Sequence, residues 1–282
     1  MVQASATQIP PDSTAGAVSA RTFLIVKAGA TFDELREERG DFEDWFKAGL
    51  QSGLAGQPNA STDKSAGVPI QVLDPRTTSD WPSPDHVAGV VLTGSHSMVT
   101  DREPWSERTG QWVAELVRAK VPVLGICYGH QLLADALGGE AGNHPVGMEL
   151  GTVEVETHAQ AAHDPLFAEL PSRFDAHVVH RQSALRLPPE AVTLASNAFE
   201  PHHAFRIGPN AWGLQFHPEF DEAAMRGYVD RIAATRNDSQ EASEATHVRV
   251  GPTPHAAGLL PRFAQIVAQA ERERAAPRKD LA

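Results

Sequence analysis

The chain has 282 residues, of which 41% are hydrophobic and 21% charged, a composition typical of a globular domain rather than of a disordered or fibrous chain. Its 36 acidic and 24 basic side chains give a formal charge of −12, which would repel the phosphate backbone of a nucleic acid. No stretch approaches the roughly 20 apolar residues of a membrane-spanning helix, and residues 1–20 lack the basic and apolar regions of a secretory signal. We therefore expect a cytoplasmic protein with a disordered tail over residues 1–20, and neither nucleic acid nor membrane as a partner.

From Arg21 the first half of the chain alternates apolar runs with amphipathic stretches. Gly40 is expected to interrupt the first helix, and the Gly- and Ser-rich residues 53–67 are expected to form a loop. Apolar strands separated by helices indicate a doubly wound α/β domain, whose mostly parallel sheet is covered by helices on both faces and carries the active site at the strands' carboxyl ends. The periodicity predicts strands at 22–26, 68–73, 89–92 and 121–126, and helices at 32–50, 104–120 and 130–137.

From residue 152 the pattern changes to short β-rich pieces, which indicates antiparallel additions and hence a mixed sheet. These pieces lie at 152–156, 177–180, 191–196, 204–207 and 212–216. A helix is predicted from about residue 221 to residue 235, a polar linker over 236–244 and a final amphipathic helix over 257–274. We therefore expect one main domain over 21–235, followed by a linker and C-terminal helical extension over 236–282.

The chain holds a single cysteine, Cys127, which excludes an internal disulfide and a multi-thiolate metal site. It stands in Gly-Ile-Cys-Tyr-Gly-His-Gln at 125–131, between a predicted buried strand and a predicted helix. Small residues around a nucleophile permit a sharp strand-to-helix turn that projects its side chain above the sheet. The helix N-terminus beyond the thiol favours the thiolate. We therefore interpret Cys127 as a catalytic nucleophile rather than as a buried small hydrophobe.

A second motif, Gln-Phe-His-Pro-Glu at 215–219, follows another predicted strand and supplies a base for this thiol. Pro218 favours an extended backbone at His217, and in an extended run alternate side chains point the same way. Glu219 is therefore expected to orient the imidazole of His217. The pattern predicts a Cys–His–Glu triad in which the acid follows the histidine, an order that disfavours an α/β-hydrolase.

These two motifs, in this order and at this separation, resemble those of the class I glutamine amidotransferases, the triad-type amidases related to the glutaminase domain of GMP synthase and to γ-glutamyl amide hydrolases. The resemblance covers about residues 22–234. It implies a flavodoxin-like fold, a thioester mechanism without cofactor or metal, and the roles of Cys127 as nucleophile, His217 as general base and Glu219 as its orienting carboxylate.

The resemblance also implies an oxyanion hole. One donor would be the backbone N–H of Tyr128, and the second would come from Gly94 or Ser95, in the loop after the third strand. Family members with synthetase partners often carry Gly-Gly or Asn-Gly where Gly94-Ser95 stands here. Thr-Gly-Ser at 93–95 looks more like the related γ-glutamyl amide hydrolases.

For the substrate, Gln131 matches the family position that contacts the glutamyl portion. Main-chain groups of His180, Arg181 and Gln182 lie where the family holds the α-amino acid end. Arg181 and Arg102 are also candidates to attract the substrate carboxylate, although surface pairing is an equally good interpretation of both.

The remaining histidines do not indicate a metal site. The chain has 13 histidines, so pairs such as His202-His203 arise by chance, and neither this pair nor His163 repeats a ligand spacing. We predict no metal and no cofactor.

Three functions remain open. The chain is expected to hydrolyse the γ-carboxamide of glutamine, as the amidase component of a synthase whose ammonia-accepting partner is a separate chain. Alternatively, it is a free-standing hydrolase of another γ-glutamyl amide. A catalytically silent binding protein on the same fold is disfavoured by the intact triad. The chain contains no Gly-rich nucleotide-binding loop that would mark an acceptor domain.

Overall fold

The computed structural model describes residues 21–55, 68–235 and 248–276. The predicted tail over 1–20, residues 56–67 of the predicted loop and the predicted linker over 236–244 lie outside these ranges. None of the described helices has the length and apolarity needed to cross a membrane.

A nine-stranded sheet forms the centre of the molecule, in the order β2-β1-β3-β4-β11-β10-β9-β6-β7, and a two-stranded sheet of β5 and β8 lies beside it. The strands are β1 (Thr22–Val26), β2 (Ile70–Leu73), β3 (Val87–Leu92), β4 (Val123–Ile126), β5 (Glu140–Asn143), β6 (Glu149–Thr157), β7 (Arg173–His180), β8 (Gln182–Arg186), β9 (Val192–Ser196), β10 (Ala204–Ile207) and β11 (Ala211–Leu214).

The sheet is mixed, as predicted. Strands β2, β1, β3, β4 and β11 run parallel, whereas β10, β9, β6 and β7 continue the sheet in antiparallel pairs. The difference follows from the connections, because antiparallel neighbours can be joined by short turns while parallel neighbours need a crossover. Strand β3 is buried along its whole length, as expected of a strand with helices on both faces.

Helices cover both faces of the parallel part. They are α1 (Asp33–Arg39), α2 (Phe42–Ala55), α3 (Pro104–Arg118), α4 (Tyr128–Ala136), α5 (Glu222–Thr235), α6 (Pro254–Ala257) and α7 (Leu259–Ala275). Apolar side chains of α3 and α4 pack with one set of strand residues, including Leu24 and Val90. Those of α1, α2, α5 and α7 pack with the alternate set, including Phe23 and Val91, because successive residues of a strand face opposite sides.

The structure confirms one sequence prediction about the loops and helices, corrects a second and adds a strand pair that was not predicted. Gly40 separates α1 from α2, as predicted, and takes the positive φ of 80° that glycine tolerates best. The loop predicted from residue 53 was wrong for residues 53–55, which continue α2 because Gly53 is buried against Pro261 of α7. The pair of β5 and β8 was missed, since its residues 140–143 and 182–186 pair across a long sequence separation.

The C-terminal helix α7 is part of the core. Phe263 is fully buried and packs edge-on against Phe23 of β1 and Trp212 of β11. Val267 lies over Gly89 of β3, where any side chain on the glycine would collide with it. The division of the chain at residue 235 remains a prediction, but α7 completes one helical layer of the domain.

Candidate active site

The predicted triad meets at the carboxyl edge of the parallel strands. Leu92 at the end of β3 lies opposite Gly125 of β4, and Leu214 at the end of β11 lies opposite Ile126. The loops that follow these three neighbouring strands carry Gly94, Cys127 and His217. Carboxyl ends of parallel strands share one edge, so residues more than 120 positions apart in sequence come into one site.

Cys127 occupies the sharp turn between β4 and α4, with φ 50° and ψ −100°. The turn requires glycine on both sides. A side chain at Gly125 would come within 2.3 Å of the Gly129 carbonyl oxygen, and one at Gly129 within 2.5 Å of the Leu92 carbonyl oxygen. The Cys127 side chain thereby projects above the sheet, where its Sγ lies 3.7 Å from the carbonyl oxygen of Val179.

His217 and Glu219 form the expected pair. The His217 Nδ1 lies 2.8 Å from Glu219 Oε1, while the backbone N–H of His217 donates to the His177 carbonyl oxygen at 2.8 Å. The opposite ring nitrogen, Nε2, has no hydrogen-bond partner among the described residues and is left for the thiol and the substrate. Phe220 stacks on the ring with centroids 4.3 Å apart, which holds its orientation.

The charge on His217 depends on these neighbours. Burial alone would lower the pKa of the imidazole, but the carboxylate of Glu219 and the thiolate of Cys127 outweigh burial and raise the pKa to about 10. Nearby His177 behaves in the opposite way. Burial, assisted by the charge of His217, lowers the pKa of His177 to about 4, so this ring is neutral at pH 7. The arrangement therefore favours an imidazolium at His217.

The loop after β3 approaches both reacting side chains. Gly94 lies so close that a Cβ there would stand 3.3 Å from His217 Cε1 and 3.8 Å from Cys127 Cβ. The Thr93 hydroxyl holds this loop by accepting from the Ala28 N–H at 3.0 Å, and the Ser95 hydroxyl holds it by donating to the Ala28 carbonyl oxygen at 3.1 Å. These two bonds hold the loop against the residues that follow β1.

Backbone donors are available at the predicted oxyanion hole. Tyr128 is the first residue of α4, where helical N–H groups lack partners within the helix. No hydrogen bond between described residues uses the N–H of Tyr128, Gly94 or Ser95. The Tyr128 side chain itself is buried against α3 and bonds to the Ser106 hydroxyl, so only its backbone serves the site.

A cavity of about 190 Å³ opens beside Cys127. Ligand sites for drug-sized molecules are typically about 300–1,000 Å³, so this one suits a compact substrate. It is lined by Phe32, Ser95, His96, Ser97, Met98, Cys127, Tyr128, Gln131, Met148, Val179, His180, Arg181, Gln182, Tyr228 and Ile232. All four residues predicted to bind substrate are among them.

These four residues contribute in different ways. The Gln131 amide donates to the Gln182 carbonyl oxygen at 2.7 Å and to the Gln215 side chain at 3.1 Å. The Gln182 amide donates to Thr100 at 2.6 Å, and its side-chain oxygen is buried with no partner among the described residues. Arg181 is exposed at the rim. The wall between them is therefore polar and internally braced.

The His180 side chain is occupied behind the pocket wall, which is consistent with the expectation that only its main chain meets a substrate. The ring is buried between the Gln182 carbonyl oxygen at 3.0 Å and Glu149 Oε2 at 2.9 Å. Burial would raise the pKa of Glu149, but the imidazoles of His180 and His203 hold it well below its usual range. Only main-chain groups of His180 remain for a substrate.

Sequence reasoning missed several residues of the site. Glu149 braces the β7–β8 turn, and Phe32 and Tyr228 line the cavity. Phe32 follows β1 and Tyr228 lies within α5, so nothing local marks either as a site residue. For Phe32, its place just beyond the carboxyl end of a parallel strand was the available signal.

Other candidates lie elsewhere. Arg102 does not line the cavity, because Asp135 holds its guanidinium on the surface. His202 bonds to the Ala184 carbonyl oxygen, and His203 lies buried beside Glu149. Within the described ranges, no group of three or more His, Cys, Asp or Glu side chains is arranged to hold a metal ion.

Comparison with known families decides the assignment. Residues 63–229, more than half of the chain, match the model of the class I glutamine amidotransferase family. The chain belongs to this family. The predicted triad residues Cys127, His217 and Glu219 lie within the matched part.

Curated relatives of this amidotransferase include two kinds of enzyme acting on amide C–N bonds. It is 42% identical to a glutamine-hydrolyzing GMP synthase of Aeropyrum pernix over 132 residues, which are 47% of this chain and 24% of that protein. It is 33% identical to a single subunit of the glutamine-hydrolyzing GMP synthase of Methanopyrus kandleri, over 54% of this chain and 77% of that protein. Gamma-glutamyl peptidase 4 of Arabidopsis thaliana is 28% identical over 56% of this chain and 64% of that protein. The match thus spans about a quarter of the first of these proteins.

Solved structures show the same fold. A glutamine amidotransferase from Methylobacillus flagellatus superposes with a TM-score of 0.64 at 21% identity, covering 90% of this chain and 94% of that one. A glutamine amidotransferase from Thermotoga maritima gives a TM-score of 0.61 at 21% identity, covering 89% and 98%. The C-terminal helix and the antiparallel strands therefore belong to a chain of class I amidotransferase architecture.

Proposed function

We propose that this chain is a cysteine amidase that hydrolyses the γ-carboxamide of glutamine. The observation that carries the proposal is that Cys127 meets the His217–Glu219 pair beside a cavity that Cys127 and Gln131 both line. The relatives named as glutamine-hydrolyzing enzymes support the same assignment.

In the first step, the Cys127 thiolate attacks the carboxamide carbon and forms a C–S bond, while the carbonyl oxygen takes the negative charge. Backbone N–H groups of Tyr128 and of Gly94 or Ser95 stabilise this oxyanion. Each such donor is typically worth roughly 10²–10³ in rate. When the C–N bond breaks, His217 Nε2 gives its proton to the nitrogen, so that ammonia leaves and a γ-glutamyl thioester remains.

In the second step, water attacks the thioester and the C–S bond breaks. His217, now neutral, takes a proton from the water, and the products are glutamate and the Cys127 thiolate. Glu219 transfers no proton. It accepts a hydrogen bond from Nδ1, which leaves Nε2 free to exchange protons with the reacting atoms, and it stabilises the imidazolium that forms. Arg181 at the rim and the main chain at 180–182 would hold the α-amino acid end.

A second candidate is a free-standing hydrolase of a larger γ-glutamyl amide. Support comes from the Thr93-Gly94-Ser95 loop, from the relative named as a gamma-glutamyl peptidase, and from apolar cavity walls that ammonia would not need. The Methanopyrus relative, named as one subunit of a GMP synthase, supports the alternative that the ammonia passes to a separate synthetase chain.

The test is hydrolysis of glutamine by the purified chain and by its Cys127→Ala variant, followed as released ammonia. We expect the variant to lose at least about 10³-fold in kcat while its thermal unfolding stays unchanged, because the thiol makes the covalent bond. Equal turnover by both proteins would refute the proposal. A glutamine-like electrophile should label Cys127, and mass spectrometry of the labelled peptide locates the site.

A further inference from the structure

One side of the cavity is formed by four side chains that the triad chemistry does not use. Phe32, His96, Tyr228 and Ile232, here called the aromatic wall, all line the cavity. The rings of Phe32 and His96 stack with centroids 4.6 Å apart, and Tyr228 lies 4.9 Å from Phe32. Ile232 follows Tyr228 by one turn of α5. Phe32 and Ile232 are half-buried and His96 is exposed at one edge, so the wall presents apolar surface to a ligand.

The aromatic wall is connected to His217 by a series of ring contacts. Tyr228 lies 4.9 Å from Phe220, which in turn stacks 4.3 Å from the His217 ring. His217 gives its proton to the departing nitrogen, so the substituent of that nitrogen is directed towards this chain of rings. The glutamyl half belongs to the opposite, polar side at Gln131 and Gln182. Ammonia carries no substituent and would leave the wall without a contact.

The charge around the wall indicates which amine fits. Among the described residues, no acidic side chain lines the cavity. The Arg231 guanidinium lies 5.6 Å from the Phe32 ring centre and pairs outside the cavity with Glu34 at 3.6 Å. Partial burial, together with the charge of His217, lowers the pKa of His96, which keeps its ring neutral at pH 7. A cationic amine would therefore find no counter-ion, whereas a neutral ring would find stacking partners.

We propose that the aromatic wall is a subsite for the amine half of the substrate, and that this amine is aromatic and uncharged outside the scissile bond. The inference rests on the proposed amidase function and specifies its substrate class. The bonds made and broken are those of the thioester mechanism, with the aromatic amine in place of ammonia and water as the second reactant.

The wall should supply measurable selectivity. A single methylene in an apolar pocket changes kcat/KM by roughly 10- to 200-fold. A ring has more apolar surface than a methylene, but at a half-open site each part of that surface contributes less to kcat/KM. We therefore expect γ-glutamyl benzylamide to exceed γ-glutamyl methylamide in kcat/KM by roughly 10- to 100-fold. The γ-glutamyl amide of 1,4-diaminobutane, whose free amine is cationic, should be the poorest of the three.

Two variants test the wall itself. Phe32→Ala should lower the ratio of kcat/KM for benzylamide over methylamide by about tenfold. Ile232→Glu places a carboxylate in the wall and should raise the ratio for the diaminobutane amide over benzylamide. The matched control is Val146→Glu, which adds the same charge at a side chain that is 74% exposed and does not line the cavity. This control should leave both ratios unchanged. Ile232 is half-buried, so its variant keeps the test available if Phe32→Ala unfolds.

A failure of the subsite proposal is distinguishable from a failure of the amidase proposal. Glutamine hydrolysis that requires Cys127, combined with equal kcat/KM for benzylamide and methylamide, would overturn the subsite and leave the amidase in place. A preference for the cationic amide in the wild type would also overturn the subsite. If the wild type hydrolyses neither glutamine nor any other γ-glutamyl amide, with or without an added synthetase chain, the amidase function itself is refuted.

Discussion

Cys127, the proposed nucleophile, has an unusual backbone conformation. Its φ of 50° and ψ of −100° lie outside the regions that non-glycine residues prefer, which costs about 1–3 kcal/mol. The surrounding sheet and helix offset this cost, since the Cys127 N–H donates to the Leu214 carbonyl oxygen at 2.8 Å and Gln131 begins the helical bonds of α4. The strain is thus maintained by neighbours that also position His217.

The pH dependence of hydrolysis should report the His217–Glu219 pair. The carboxylate raises the pKa of His217, so removing its charge in Glu219→Gln should lower that pKa. The imidazolium donates a proton to the leaving group and is lost above its pKa. The basic limb of kcat/KM should therefore move to lower pH by about 1–3 units, visible in rates measured from about pH 7 to pH 11.

The matched control for this measurement is Glu222→Gln, an exposed carboxylate at the start of α5. It should leave the basic limb in place. A Glu219→Gln enzyme with an unmoved limb would contradict the assigned pairing. We also expect Glu219→Gln to retain more activity than His217→Ala, because only the imidazole transfers protons.

Gly94 should be intolerant of a side chain for reasons of chemistry rather than stability. A Cβ at this position stands 3.3 Å from His217 Cε1, closer than ordinary packing, so the ring or the loop must shift. Gly94→Ala should lower kcat by up to roughly 100-fold with little change in melting temperature. Activity assays with parallel thermal unfolding measure both quantities. A variant that unfolds early but turns over normally would show that Gly94 serves packing instead.

At the scale of elements, α2 and α7 form a close helix contact in the molecule's core. Gly53 of α2 is buried against the backbone of Pro261, and Gly49 lies against the Leu260 side chain. Small residues let helices approach closely, and here the approach positions Phe263 of α7 over the sheet. The C-terminal helix is consequently held from both sides, by α2 and by β1 and β3.

Gly53→Ala tests this contact, because the sign of its effect on stability depends on whether α7 packs against α2. In an exposed helix this change would stabilise the protein by up to about 1 kcal/mol. At Gly53 the added Cβ would come within 2.2 Å of the Pro261 carbonyl oxygen, so we expect a loss of about 1–3 kcal/mol from overpacking. This loss is measured as the change in the free energy of unfolding in urea.

Gln51→Ala, at an exposed position of the same helix, is the control and should change stability by less than about 0.5 kcal/mol. Stabilisation by Gly53→Ala would mean that α7 is not packed against α2 in solution.

At the scale of the whole molecule, the two halves of the sheet contribute different parts of the candidate site. The parallel half carries Gly94, Cys127 and the His217–Glu219 pair at three adjacent carboxyl ends, whereas the antiparallel half ends in the β7–β8 turn that lines the cavity. Glu149 of β6 braces that turn through His180. Every group required by the proposed chemistry therefore comes from one chain, and the site assembles only when both halves are folded.

We accordingly expect the isolated chain to hydrolyse its substrate without a partner, with kcat on the order of 1–10 s⁻¹. The hydrogen bonds of Thr93 and Ser95 to Ala28 hold the loop after β3 in the resting protein, so no second chain is needed to order this loop. Steady-state assays of the purified chain with glutamine and γ-glutamyl amides provide the test. Negligible turnover that appears only after a synthetase chain is added would contradict this expectation and support the two-chain synthase.

The sequence alone determined the features that depend on short stretches. The nucleophile turn requires Gly125 and Gly129 around Cys127, and the extended His-Pro-Glu run brings Glu219 to His217, so both motifs carry their geometry locally. Apolar runs likewise predicted the parallel strands, because burial on both faces leaves a nearly continuous apolar stretch. The short β-rich pieces after residue 152 predicted the mixed sheet.

Tertiary structure alone decided which distant residues meet. Phe32 and Tyr228 are separated by almost the whole domain, as are Gly53 and Pro261, and no local pattern encodes such pairs. The short strands β5 and β8 pair across about 40 residues, and their formation depends on that pairing rather than on their own propensity. The two motifs were recognisable because their geometry is local, whereas the aromatic wall and the place of α7 in the core arise from long-range packing.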